Sequence, residues 1–241
     1  YASRGLGDVY KRQVNIGSGV FSVCEGLASI TVSKGNKYYD SRDNCNAIIK
    51  TESNTLVCAC KKTVIPEDIT CIGDSVFEYR EDLTNITLPD GVISIGDSAF
   101  KGCTSLINVT LPDGVISIGD SAFEGCSGMI SITLPESVTS IGDHAFSNCS
   151  GLTSITLPDS ATSIGWGSFY KCSRLTSIVI PNGVTSIGAF TFGECSSLTS
   201  IIIPYGITSI GNDAFIRCSS LTSITIPDSV CLLYTSPSPR D

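Results

Sequence analysis

The sequence predicts a repeat solenoid, mainly β with short helical or 3-10 turns, built from stacked coils of 23 residues. Three observations lead to this prediction. The chain aligns with itself at an offset of 23 residues over most of its length. Each repeat opens with an alternation of apolar and polar residues, which is typical of a half-buried β-strand. Ile, Thr, Ser and Gly are abundant while 16% of the residues are charged, and this composition favours strands and tight turns over helices.

Seven complete units run from residue 60 to residue 220, and the second of them reads LTNITLPDGVISIGDSAFKGCTS. A clipped eighth unit covers residues 221–230. Residues 14–59 hold a partial repeat followed by an irregular repeat with an insert. One unit cannot bury its apolar side chains alone, whereas neighbours stacked about 4.8 Å apart can, so the repeats predict one continuous core.

Each part of the unit predicts one element of the coil. The opening Leu-x-x-Ile-x-Ile/Leu alternation points side chains such as Leu152, Ile155 and Leu157 inward. The following Pro ends the strand at a corner, and V-x-S-I-G forms a second extended piece whose Gly suits a turn with positive φ. D-x-A-F predicts a short helical or 3-10 turn. We expect three aspartates to act as its N-caps and a column of phenylalanines to fill the interior: Asp97, Asp120, Asp143, Phe100, Phe123, Phe146, Phe169, Phe192 and Phe215.

The irregular repeat carries a ten-residue excess within residues 33–59. NAIIKTESNTLVCAC predicts two strands around Glu52–Asn54, a hairpin. In the polar stretch ahead of it, Asp40, Asp43 and Asn44 offer oxygen atoms that suit calcium, although the Gly and the distal Glu of an EF-hand loop are absent. The other interpretation is a turn held by side-chain-to-backbone bonds.

Six cysteines recur every 23 residues, and three interpretations compete for them: Cys103, Cys126, Cys149, Cys172, Cys195 and Cys218. A linear column does not converge on one point as a metal site requires. Disulfides between adjacent coils would need parallel inward side chains to turn towards each other. Buried thiols that act as small apolar residues fit the stacking best.

Catalytic chemistry finds no support in the residues. The one histidine, His144, stands where equivalent repeats have Ser98 and Ser121, which indicates a surface substitution rather than a catalytic base. Glycine-rich phosphate loops are absent, and we expect no cofactor and no metal.

The formal charge of −8 argues against a phosphate-binding surface, so nucleic acid is not an expected partner. No apolar run reaches the roughly 18 residues of a membrane span.

Departures from the repeat consensus mark the candidate partner-binding residues. Trp166 stands where other units have the capping Asp, and Phe190 takes the next position in the following unit. Tyr170 replaces Lys101 and its equivalents, while Tyr205 replaces a corner aspartate. Because Trp and Tyr are enriched at binding hot spots, these four aromatics predict an exposed protein-binding patch; drift among repeats is the alternative.

The unit Leu-x-x-Ile-x-Ile-Pro…Ile-Gly…Ala-Phe-x-x-Cys resembles the leucine-rich repeat of the BspA-like class, over residues 14–230. The resemblance implies a right-handed leucine-rich-repeat solenoid in a cell-surface protein of bacterial type. It also implies a non-enzymatic adhesion or protein-binding module, whose ligands would be host extracellular-matrix or plasma proteins or other cells. Two further functions stay open: a structural spacer in a longer surface protein, and the accessory region of an enzyme whose catalytic domain lies elsewhere.

The two ends differ from the repeats. One DNA spelling of Cys231–Asp241, CLLYTSPSPRD, has a complementary strand that, shifted by one base, encodes Ser3–Gln13, SRGLGDVYKRQ. This DNA resembles a transposase-type sequencing adapter. We therefore expect residues 1–13 and 231–241 to be translated adapter in a fragment of a longer protein. Their net charge of +2 leaves −10 for the repeats, whose open coil ends we expect to associate.

Overall fold

A computed structural model describes residues 15–24 and 26–233 of the chain as a β-solenoid of stacked 23-residue coils. Each of the six coils between residues 83 and 220 contributes a three-residue strand, a corner at a proline, a two-residue strand and a turn that returns to the next coil. Equivalent residues of neighbouring coils pair in parallel at an offset of 23, as Ser131 does with Ser154 and Ile132 with Ile155. The predicted solenoid is confirmed. The predicted adapter segments lie largely outside the described residues, and their origin stays a prediction.

The strands are β1 Tyr39–Asp40, β2 Ala47–Lys50, β3 Thr55–Ala59, β4 Cys71–Ile72, β5 Asn85–Thr87, β6 Ser94–Ile95, β7 Asn108–Thr110, β8 Ser117–Ile118, β9 Ser131–Thr133, β10 Ser140–Ile141, β11 Ser154–Thr156, β12 Ser163–Ile164, β13 Ser177–Val179, β14 Ser186–Ile187, β15 Ser200–Ile202, β16 Ser209–Ile210 and β17 Leu232–Leu233. The three-residue strands of the coils form two-stranded parallel sheets. The two-residue strands join the insert strands β1, β2 and β3 in an eight-stranded sheet of order β1-β2-β3-β4-β6-β8-β10-β12 and also form a three-stranded sheet β14-β16-β17.

The core consists of inward columns that run along the solenoid axis. Leu152, Ile155 and Leu157 of one coil are buried, as the strand alternation predicts. The phenylalanine column, from Phe77 to Phe215, is stacked with ring centroids 5.1 to 5.7 Å apart and interplanar angles of 13° or less. Stacking therefore joins the coils through their interior as well as through the strands.

The turn that returns to the next coil is not helical, and the predicted N-caps are wrong. Alternate amides of this turn donate to the next coil: the amide of Ser121 donates to the Asp143 carbonyl (2.7 Å) and that of Phe123 to the Ala145 carbonyl (2.8 Å). These amides are thus unavailable for helical bonds. Instead of capping its own turn, the carboxylate of Asp120 accepts the backbone amide of Asp143 one coil further on, at 2.7 Å. Among the described residues, the 3-10 helix is confined to Arg42–Asn44.

The recurring glycine of the V-x-S-I-G piece has a different role from the one predicted. Positive φ falls two residues later, at Ser98, Ser121 and His144 (φ 54° to 55°). A glycine is required here because the preceding coil leaves no room for a side chain. A Cβ on Gly142 would lie 2.6 Å from the backbone nitrogen of Asp120 and 2.6 Å from the carbonyl carbon of Gly119 in the preceding coil. The absence of a side chain here lets two coils approach.

The cysteine column lies in the core beside the phenylalanine column. All twelve thiols of the chain are unpaired, and Cys126, Cys149 and Cys172 have no exposed surface. Each thiol of the column donates to the carbonyl of a phenylalanine 26 residues earlier, as Cys149 does to Phe123 at 3.1 Å. Burial raises the pKa of Cys103 to about 12 and that of Cys149 far above its usual range. The structure agrees with the buried-thiol interpretation.

This arrangement predicts a sharp contrast in thiol reactivity. Alkylation proceeds through the thiolate, and the buried column holds its thiols in the protonated, inaccessible form. At pH 8 we expect iodoacetamide to modify the exposed Cys24 and Cys231 while Cys126, Cys149 and Cys172 stay unmodified, as measured by peptide mass spectrometry. Denaturant is the control, because every thiol should then react. Equal rates at Cys149 and Cys24 in the folded protein would contradict the buried column.

The insert packs on the first complete coil through an ion-paired network. Strands β2 and β3 pair antiparallel, at the place where the sequence predicts a hairpin. Arg42 donates to both carboxylate oxygens of Asp40, at 2.9 and 2.7 Å, and also to Asn54 and to Asp68 in the next coil. The hydrogen bonds from Arg42 lower the pKa of Asp40. Because both oxygens are engaged, the structure favours the turn interpretation of this stretch over a calcium site.

Candidate functional site

Three of the four predicted aromatic residues meet on the turn face of the solenoid. The Trp166 ring lies edge-on to Phe190, with centroids 6.0 Å apart, and Tyr170 lies edge-on to Phe190 at 5.9 Å. On the other side, Trp166 contacts His144, whose ring centroid is 4.3 Å away. We call Trp166, Tyr170, Phe190 and His144 the aromatic cluster. Trp166 is 44% exposed, so the cluster presents an apolar surface to solvent where two earlier coils present Asp97 and Ser98, and Asp120 and Ser121.

The cluster interrupts the aspartate series of the turn face. Asp143 accepts the backbone amide of Trp166 at 2.7 Å, which continues the bonding pattern of the preceding coils. Trp166 itself has no carboxylate that could accept the backbone amide of Ala189 in the next coil. At this position one hydrogen bond between coils is therefore absent, and an exposed indole ring takes the place of the carboxylate.

Glycines in adjacent coils make room for these rings. A Cβ on Gly167 would lie 2.6 Å from Cε1 of His144, and one on Gly193 would lie 3.1 Å from Cδ2 of Tyr170. Phe190 has a φ of 56°, and the equivalent residues His144 and Asp213 have a φ of 55° and 56°. This left-handed conformation therefore belongs to the turn of every coil, and Phe190 places a bulky side chain where other coils have small or polar residues.

A charged rim borders the cluster on one side. The Tyr170 hydroxyl donates to Oε1 of Glu194 at 3.0 Å, and Arg217 donates to the same oxygen at 3.1 Å. The Lys171 ammonium lies 5.1 Å from the centroid of the Tyr170 ring, within the range of a cation–π contact. An apolar centre with a polar rim is the usual anatomy of a protein-binding surface.

Tyr205 lies elsewhere, at the proline corner. It is 84% exposed and borders two cavities of about 270 and 340 Å³, which it shares with Ile202 and Ile203. Within the described part of the chain, no ring contact links Tyr205 to the aromatic cluster. The structure thus separates the four predicted residues into one cluster of three and one residue on a different edge of the coil.

Sequence reasoning missed several residues of these surfaces. Val179 and Ile202, 60% and 63% exposed, take the place of an outward threonine beside Tyr205. In the sequence these residues are visible as the positions where the outward threonine is replaced. Val and Ile are also common in strands, so the alternation pattern predicts an ordinary strand at these positions. His144 belongs to the cluster because it contacts Trp166 in the next coil. That contact can be recognised only when it is known which residues of adjacent coils lie side by side.

Neither a group of metal ligands nor a membrane-spanning helix occurs among the described residues. No group of three or more His, Cys, Asp or Glu side chains within residues 15–24 and 26–233 has a metal-binding arrangement. In the same residues, no helix has the length and apolar character that a membrane span requires.

Parallel coils with an inward Leu, Ile and Phe pattern define a leucine-rich-repeat protein. The family model of the BspA type leucine rich repeat region matches residues 9–127, 55–172 and 117–236 of this chain, with six copies. The chain belongs to this BspA-type family. No curated protein matches it.

Solved structures of bacterial leucine-rich-repeat proteins share the fold. The T. pallidum protein TpLRR is 25% identical with a TM-score of 0.64, and the match covers 80% of this chain and 91% of that one. A protein from Eubacterium ventriosum is 25% identical with a TM-score of 0.68, over 92% of this chain and 54% of its own. One from Bacteroides ovatus is 27% identical with a TM-score of 0.58, over 81% and 58%. The chain thus spans little more than half of the last two.

Proposed function

We propose that this chain is the protein-binding module of a bacterial cell-surface protein and that it has no catalytic activity of its own. The aromatic cluster is the observation that carries this proposal. Its rings are held by edge-to-face contacts and accommodated by neighbouring glycines, in a coil series whose other turns are polar. Membership of the BspA-type family supports a binding role.

Extracellular-matrix or plasma proteins, or surface proteins of other cells, are the proposed ligands. Rigid aromatic rings supply large contact areas with little loss of conformational entropy, and a polar rim then provides orientation. Trp166 and Tyr170 supply the apolar area, and Glu194, Arg217 and Lys171 supply the rim. A spacer role is the alternative, and the bland Ser and Thr surface of the other coils is consistent with it.

Removal of the cluster tests the proposal. On an array of purified extracellular-matrix and plasma proteins, we expect the double variant Trp166→Ser/Phe190→Ser to bind its strongest ligand at least tenfold more weakly, because the apolar centre is lost. Thr156→Ser, on the outward strand face, is the matched control and should bind like the unmodified chain. Unchanged binding by the double variant, with far-UV circular dichroism preserved, would rule out the cluster. Failure of the unmodified chain to bind any protein would favour the spacer.

A further inference from the structure

We propose that the proline corner of the last described coils is a second binding site, which takes an extended polypeptide segment with a large apolar residue between two basic residues. This inference rests on the proposed function in taking the solenoid as a protein-binding surface, but it concerns a different edge of the coil. We call the site the corner groove and define it by Asp159, Val179, Ile202, Tyr205 and Asp228.

Two columns of the repeat change together in two consecutive coils. The outward column of the first strand is threonine in five coils and apolar in three, at the exposed Val64, Val179 and Ile202. The corner column is acidic in six coils and holds Asn182 and Tyr205 in the coils of Val179 and Ile202. The coil of Val64 keeps an acidic corner residue, so both columns change only in the two consecutive coils of Val179 and Ile202. An exposed apolar patch of this kind usually marks an interaction site.

The substitutions produce a continuous depression. One cavity of about 270 Å³ is bordered by Asp159, Val179 and Tyr205, and a second of about 340 Å³ by Ile202, Tyr205 and Asp228. Both share Ile202, Ile203 and Tyr205, so they are two parts of one groove that runs along the solenoid axis.

Charge identifies the occupant. Asp159 and Asp228 are exposed, and neither forms a salt bridge within the described part of the chain. No Lys or Arg borders either cavity, and the chain as a whole carries −8. An acidic or neutral apolar segment would leave both carboxylates without a counter-charge, whereas Lys or Arg residues at its two ends would pair with them. The same negative charge disfavours a second copy of this chain as the occupant.

The repeat also sets the spacing of the basic residues. Asp159 and Asp228 occupy the same corner position three coils apart, which corresponds to about 15 Å at about 4.8 Å per coil. An extended polypeptide advances about 3.3 Å per residue, so two basic residues four or five positions apart match this distance. In an extended segment, alternate side chains face the same way, and a Lys-x-Leu-x-Lys arrangement therefore presents both charges and the apolar residue together.

A direct binding measurement with the full chain tests the inference. The probe is a fluorescein-labelled peptide with the core Lys-Ser-Leu-Ser-Lys, and the control peptide has Glu in place of both lysines. We expect fluorescence anisotropy to show binding of the first peptide, weakened by added salt, and no binding of the second. The variant Val179→Thr/Ile202→Thr restores the residue found in other coils, so it should fold, and we expect it to bind at least tenfold more weakly. Asp159→Asn/Asp228→Asn should weaken binding about threefold and abolish most of the salt dependence.

Several outcomes would overturn the inference. Equal binding of the two peptides, no binding of the lysine peptide, or unchanged binding by Val179→Thr/Ile202→Thr would each do so. Sedimentation that shows a dimer converted to a monomer by this variant, without peptide binding, would assign the groove to a second copy instead. The two proposals fail separately: lost peptide binding with retained capture of array proteins overturns the groove alone, and the reverse overturns the proposed function alone.

Discussion

Replacement of Phe146 by Ala is expected to lower the free energy of unfolding by about 3–5 kcal/mol. Phe146 has no exposed surface and is stacked between Phe123 and Phe169, with centroids 5.4 and 5.6 Å away. Truncation removes the transfer free energy of the ring and leaves a cavity that the rigid coils on either side cannot close. Urea denaturation followed by far-UV circular dichroism measures the loss.

Phe215→Ala is the matched control for this substitution. Phe215 belongs to the same column, but it is partly exposed and stacks on one ring, Phe192, at 5.6 Å. We expect its truncation to lower the free energy of unfolding by less than about 2 kcal/mol, because less apolar surface of Phe215 than of Phe146 is buried in the folded protein. Because repeat proteins unfold coil by coil when an interior coil is weakened, Phe146→Ala should also broaden the transition. Equal losses at the two positions would refute the continuous column.

Gly142→Ala is expected to destabilise the chain by about 1–3 kcal/mol although it adds a single methyl group. The new Cβ would lie 2.5 Å from Oδ1 of Asp120 and 2.6 Å from two backbone atoms of the preceding coil. Rotation of the Asp120 side chain would relieve the first contact, but the two contacts with backbone atoms cannot be relieved in this way. The coils would have to move apart, and the bond from the Asp143 amide to Asp120 would weaken. Thermal and urea denaturation both report this change.

Gly114→Ala provides the comparison. A Cβ there would meet its nearest neighbour, the carbonyl oxygen of Val92, at 3.4 Å, which is ordinary contact. Equivalent units already carry a side chain at this position, in Ser137 and Ser160. We expect a stability within about 0.5 kcal/mol of the unmodified chain, or a small gain from the lower entropy of the unfolded state. A loss at Gly114 as large as that at Gly142 would show that coil spacing is not the cause.

The periodic features of this protein were predictable from the sequence, and the features that depend on contacts between coils were not. Alternation placed Leu152, Ile155 and the phenylalanine column inward, because the side-chain direction in a strand depends on local geometry alone. The role of the turn was predicted wrongly, since an isolated D-x-A-F favours a helical turn with a capped end. In the stack, the amide of Phe123 donates to the Ala145 carbonyl of the next coil, and the carboxylate of Asp120 accepts a hydrogen bond from the Asp143 amide of that coil.

The candidate sites divide in the same way. The sequence marked Trp166, Tyr170 and Phe190 as departures from the consensus, which requires no structure. The sequence could not tell that Tyr205 lies apart from these three residues, because all four differ from the repeat consensus equally. Their separation depends on which edge of the coil each residue occupies. The contacts of His144 and the groove formed with Ile202 arise between residues in neighbouring coils, about 23 positions apart.

By itself the sequence determined the repeat length, the solenoid fold and the inward columns. These follow from periodicity, and every repeat supplies independent evidence for them. The tertiary structure decided why Gly142 must be glycine, how the turns bond and which aromatic residues share a surface. Those answers depend on the distance between adjacent coils, and stacking sets that distance through packing and backbone hydrogen bonds that no single repeat contains.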